Sequence, residues 1–206
     1  MKPLFISFEG GEGSGKTTQI KSFEKWVQDN YGDCVVTREP GGVGISEQIR
    51  EILLNPENKK IIGMTELFLY EAARTQFVYE LVKPHLEGNT SVISDRFFDS
   101  TTAYQGYARE IDTRFIDYLN YSATQGLTPD LTYLLDIPVD VGLKRAGKRD
   151  KFDRLDSESR EFHEKVRNGF LQIAEENPSR VVVVNAEQSL EEVSKDIINI
   201  FSERYL

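Results

Sequence analysis

Phe8 to Gln19 reads FEGGEGSGKTTQ, and the fold turns on what this stretch is. Gly10-x-x-x-x-Gly15-Lys16-Thr17 matches the phosphate-binding loop pattern, which has meaning only between a strand and a helix. The apolar run PLFISF (3–8) leads into it, and Ile20, Phe23 and Val27 follow at helical spacing. Glycines let backbone N–H groups turn inward around an anion, a conformation that Cβ atoms obstruct. The helix that follows adds its N-terminal dipole. Lys16 is placed to reach β- and γ-phosphates, and the Thr17 hydroxyl to ligate Mg²⁺. The triphosphate-binding set is therefore Gly10, Gly11, Glu12, Gly13, Ser14, Gly15, Lys16, Thr17 and Thr18.

Outward from the loop, short apolar runs alternate with helical stretches. PLFISF (3–8), CVVT (34–37), SVIS (91–94), LTYLLD (131–136) and RVVVV (180–184) read as buried parallel strands. Phe162, Val166, Phe170 and Ile173 share one helical face, and Leu190, Val193, Ile197 and Phe201 another. The alternation predicts an α/β fold, a five-stranded parallel sheet with helices on both faces. The 206 residues fit one domain with a short lid. No apolar run approaches a membrane span, and no signal peptide is readable. The single Cys34 rules out an internal disulfide, which makes the cytoplasm the simplest location. The net charge of −9 argues against nucleic acid as a partner but permits a small phosphate ligand on a local cluster of bases.

Such clusters are readable at strand ends, where ligands bind in a doubly wound sheet. SVISDRFFDS puts Asp95 and Arg96 there, the first suited to a metal-bound water and the second to forking onto a phosphate. TREPGG (37–42) places Arg38 and Glu39 at the same rim. In YEAARTQ (70–76), Tyr70 and Arg74 lie four apart on one helical face, an arrangement able to stack on a base and bond its edge. Lys144, Arg145, Lys148, Arg149, Lys151 and Arg154 concentrate positive charge in 144–154, as a lid over phosphates requires. The nearest guanine-reading segment, NKK (58–60), is followed by Ile61 instead of an aspartate, which argues against a GTPase switch. A small kinase and a nucleotide-binding regulator both remain open on these residues alone.

Over nearly its whole length the chain resembles the thymidylate kinases. The segments FEGGEGSGKTTQ, REPGG, YEAARTQ, DRFFDSTTAYQGYAR, TPDLTYLLD and GLKRAGKRDKFDRLD occur in that family's order. The resemblance implies a P-loop nucleoside monophosphate kinase fold, transfer from ATP to dTMP with Mg²⁺ at Thr17 and Asp95, and a homodimer. It implies that Glu12 lies near the sugar hydroxyl of dTMP, Tyr70 on thymine, and Arg74, Thr101 and Gln105 at the thymine edge. Arg38 and Arg96, helped by Arg50, would hold the dTMP phosphate, and Tyr104 would lie beside the 2′ carbon. Lys16, Arg96, Arg145, Arg149 and Arg154 would serve the transferring phosphoryl. No base stands among Gly11, Glu12, Gly13 and Ser14, so the chain resembles members whose bases sit in the lid (144–156), although Gly147 stands where some relatives carry arginine.

Overall fold

The computed structural model describes residues 1–147, 154–155 and 158–206. Lys148, Arg149 and Lys151 lie outside the described residues, as does much of the expected lid. Five parallel strands, β1 (Phe5–Glu9), β2 (Cys34–Arg38), β3 (Ser91–Asp95), β4 (Leu131–Asp136) and β5 (Val181–Asn185), form one sheet in the order β2-β3-β1-β4-β5. The chain leaves central β1 and crosses first to one side of it and later to the other. A crevice therefore opens at the carboxyl end of β1, where the glycine loop begins.

The core forms where apolar faces of helices meet the sheet. On one side α1 (Lys16–Asn30) and α9 (Leu190–Tyr205) pack Phe23, Val27, Ile197 and Phe201 against Phe8 and Tyr133. On the other, α8 (Arg160–Glu176) buries Phe162, Val166, Phe170 and Ile173 with Leu134 and Val181. Phe5 and Val92 meet Phe77, Val78 and Phe97. Phe77 ends α3 (Gly63–Phe77), Val78 opens the π-helical turn Val78–Val82, and α4 (Lys83–Glu87) continues it.

The central strands are buried throughout, apart from partial exposure at the last residues of β3 and β4, as their apolar runs predict. The edge strands depart from the expectation of full burial. Val36 on β2 and Val183 on β5 are exposed because no neighbouring strand or helix covers them. Leu190, expected on the buried face of α9, is exposed as the first residue of that helix. The remaining helices are α2 (Gly44–Leu54), α5 (Phe98–Thr101), α6 (Thr113–Thr124) and α7 (Val139–Ala146), with a second π-helical segment, Thr102–Ala108, after α5.

Candidate functional site: two cavities sharing one row of charge

The glycine loop leaves β1 and turns into α1 through Gly15, whose φ of 91° is left-handed. Lys16 is buried, and its Nζ donates to the carbonyl oxygens of Gly10 at 3.0 Å and Gly11 at 3.4 Å. Burial and then the Arg96 charge push its pKa below that of an ordinary lysine. A cavity of about 1040 Å³, partly open to solvent, runs over this loop. Gly13, Ser14, Gly15, Lys16, Thr17 and Thr18 form one wall. Arg38, Arg50, Asp95, Arg96 and Arg145 form the rest with Glu12 and Glu39.

Behind it lies a second cavity of about 540 Å³, part of which is open to solvent. Tyr70, Arg74, Phe97, Thr101, Tyr104 and Gln105 line it. Glu12, Glu39, Arg50 and Arg96 border both cavities.

Arg96 is held at this junction by a strained turn. Its φ of 72° is left-handed, a conformation that costs a non-glycine residue about 1–3 kcal/mol. Three groups enforce it. The Arg96 N–H donates to Phe8 O (2.9 Å) and the Ser94 hydroxyl to Arg96 O (2.7 Å). Buried Glu9 accepts from the Phe97 N–H (2.7 Å) and the Ser100 hydroxyl (2.6 Å). The guanidinium then donates to Glu12 (2.8 Å), Ser100 (3.1 Å) and the Tyr104 hydroxyl (3.3 Å). Burial opposes its charge, but Tyr104, Glu12, Asp95 and Glu9 raise its pKa and keep it cationic. Glu9, in turn, is pushed up to about 8, first by burial and then by Asp99.

The structure brings most of the expected residues together, with two departures. Arg74 lines the second cavity, but its donors are directed at protein: Glu39 (2.9 Å), Glu71 (2.5 Å), Asn120 (3.0 Å) and Thr101 (2.8 Å). It braces the wall, because a fully buried guanidinium is tolerable only when its donors are met. Arg154 departs further from a phosphate-facing role. It is buried, donates to Glu66 (2.5 Å) and Leu53 O (2.9 Å), and lines neither cavity. Arg145 does reach the phosphate channel, its guanidinium also donating to Ala186 O at 3.1 Å. Arg38 lies at the rim, clamped by both oxygens of Glu47 at 2.8 Å.

Sequence reasoning missed Glu9, Glu47, Glu66 and Gly142. Gly142, on α7, presses its backbone on the glycine loop so closely that a Cβ on it would strike Glu12 O. Its only sequence signal was a glycine inside a helical run, otherwise unfavourable by about 1 kcal/mol.

Comparison with known proteins agrees with this geometry. The family model described as thymidylate kinase matches residues 8–197. A thymidylate kinase of Geotalea uraniireducens is 49% identical over 199 residues, covering 94% of this chain and 93% of the relative. One of a Sulfurihydrogenibium species is 46% identical, covering 98% of each. The crystal structure of thymidylate kinase from Ehrlichia chaffeensis superposes with a TM-score of 0.80 at 33% identity, over 98% of this chain and 99% of that one. The match spans nearly the whole chain, which belongs to the thymidylate kinase family.

Proposed function

We propose that the two cavities seat the two substrates of a dTMP kinase, with the phosphoryl passing across the row of charge they share. The reaction is transfer from ATP to dTMP, giving dTDP. The observation that supports the seating is that Arg50, Arg96, Glu12 and Glu39 border both cavities. In this reading Lys16 and the loop Gly10 to Thr18 hold the ATP phosphates. Arg96 and Arg38 hold the dTMP phosphate, helped by Arg50. Tyr70 stacks on thymine while Thr101 and Gln105 meet its edge, and Arg74 supports Thr101. Glu12 and Tyr104, 3.5 Å apart, flank the deoxyribose.

The acceptor phosphate oxygen is already anionic at neutral pH, so positioning and charge neutralisation carry the step without a strong general base. Lys16, Arg96 and Arg145 supply positive charge from the described residues, and Arg149 is assigned the same task from the lid. Thr17 and Asp95 offer hard oxygen donors on one channel, a set that fits Mg²⁺. When bound, that ion neutralises phosphate charge.

The chain is further assigned as a homodimer. Ile45 and Ile52 of α2, Met64 and Phe68 of α3, and Phe115, Tyr118 and Tyr121 of α6 are exposed on neighbouring helices. We assign it to the cytoplasm, where a lone buried thiol such as Cys34 stays reduced. Among the described residues no helix is long and apolar enough to cross a membrane.

The test is a coupled assay of ADP release across a panel of nucleoside monophosphates with ATP and Mg²⁺. Preferred turnover of dTMP is expected. Equal turnover of ribonucleotides, or preference for another base, would overturn the substrate assignment.

A further inference from the structure

Glu66 lies in the first turn of α3, is fully buried, and lines neither cavity. Its two carboxylate oxygens gather donors from distant parts of the chain. Oε1 accepts from Gln105 Nε2 at 2.7 Å and Arg109 Nε at 3.3 Å. Oε2 accepts from Arg154 Nη2 at 2.5 Å and Arg109 Nη2 at 3.3 Å. Arg154 also grips the end of α2, donating Nε to Leu53 O (2.9 Å) and its backbone N–H to Leu54 O (3.2 Å). Arg109 is fixed in turn by Glu158 at 2.5 Å and by the face of Phe162, 4.6 Å away.

Residues at and beside these partners line the smaller cavity, the one bordered by Tyr70 and Tyr104. Gln105, Leu54 and Leu155 are all among its lining residues. They come from the second π-helical segment, from α2 and from the stretch after the basic run, and Glu66 is where the three are joined.

A buried charge cluster is a poor device for stability alone, since apolar residues of similar volume do as well or better. It is a good device for fixing one geometry, because each donor left unmet is costly. Despite burial, the hydrogen bonds from Arg109 and Gln105 and the charges of Arg109 and Arg154 hold the Glu66 carboxyl below its ordinary pKa, so the carboxylate persists.

We infer that Glu66 is a positioning residue for the acceptor nucleotide: it aims Gln105 and, through Arg154, seats Leu54 and Leu155 as cavity walls. Arg154 therefore acts on dTMP recognition and not on the transferring phosphoryl. This rests on the assignment of the smaller cavity to dTMP.

The experiment compares Arg154→Met, Arg154→Lys, Glu66→Gln and the double variant Glu66→Gln/Arg154→Met with the parent enzyme. KM for dTMP, KM for ATP, kcat and Tm are measured for each. Misplacing cavity walls should raise the KM for dTMP about tenfold or more in Arg154→Met and Glu66→Gln, with kcat and the KM for ATP within about twofold. Arg154→Lys, which keeps the charge on Glu66, should recover part of the loss. The double variant should lose less than the product of the two single losses, because both substitutions break the Glu66–Arg154 contact. An unchanged KM for dTMP in Arg154→Met, whatever kcat does, overturns the inference, as do losses that multiply in the double variant. Should Glu66→Gln fail to fold by Tm, Arg154→Met decides alone, since it leaves Gln105 and Arg109 on Glu66. If the parent enzyme does not turn over dTMP, it is the substrate assignment that fails.

Discussion

In the proposed reaction Lys16 is the cation nearest the glycine loop's own carbonyls. Its ammonium sits against the carbonyls of its own loop, buried and already partly desolvated, where its charge acts at full strength on a phosphate. Lys16→Ala should lower kcat by at least about a hundredfold, the loss typical of a deleted electrostatic donor, with Tm little changed. Turnover near the parent value in a folded variant would refute the assignment. Glu9 acts at the same scale but through pH. Its folded pKa of about 8 lies above the ordinary carboxyl value of 4.5, so the folded state favours the protonated form. The associated stability is complete below about pH 4.5 and is lost as pH rises through about 8. Glu9→Gln removes this dependence, so the Tm difference between Glu9→Gln and the parent should grow in the variant's favour between pH 5 and about 9. Parallel curves of Tm against pH would show that Glu9 is not the titrating group. Lys16 was legible in the sequence because its loop is a local pattern. Glu9 was not, because its partners Phe97 and Ser100 stand about ninety positions away.

Elements differ in the same way. The three central strands were legible as apolar runs because both their faces are covered. The edge strands read alike but are half exposed, since apolar content does not reveal position in the sheet order. The π-helical segment Thr102–Ala108 left no periodic trace, yet it carries Tyr104 and Gln105. Arg154 reads in the sequence as one of a run of lid bases, but the structure pairs it with Glu66, 88 residues distant, which no local pattern signals. Between α7 and the glycine loop the decisive contact is backbone on backbone. Gly142→Ala should drive α7 from Glu12, destabilising the fold by about 1–3 kcal/mol and raising the KM for ATP more than that for dTMP. Thermal unfolding and the two KM values check this; unchanged values would mean that α7 yields freely.

For the whole molecule, charge sets a conflict. The chain as a whole carries a net −9, while Lys16, Arg38, Arg50, Arg96 and Arg145 line one channel. An approaching dianion meets repulsion at long range and attraction only near the mouth. Salt screens the first more than the second, because exposed charges beyond a Debye length of about 10 Å at 0.1 M are screened most. Raising ionic strength from about 0.01 to 0.15 M should therefore leave kcat/KM for dTMP unchanged or higher. A steep fall in stopped-flow or steady-state measurements would mean that the arginine row governs capture from afar.

Gly13 has a φ of 69°, and any Cβ built on it would fall on the carbonyl of Gly142. By contrast, nothing lies within 4 Å of a Cβ at Gly11. The two positions are therefore unequal as destinations for a new side chain. An arginine at 11 needs no rearrangement of its neighbours, whereas one at 13 needs α7 to move. Gly13 and Gly142 thus form a lock in which neither can change size alone, because each leaves the other no room.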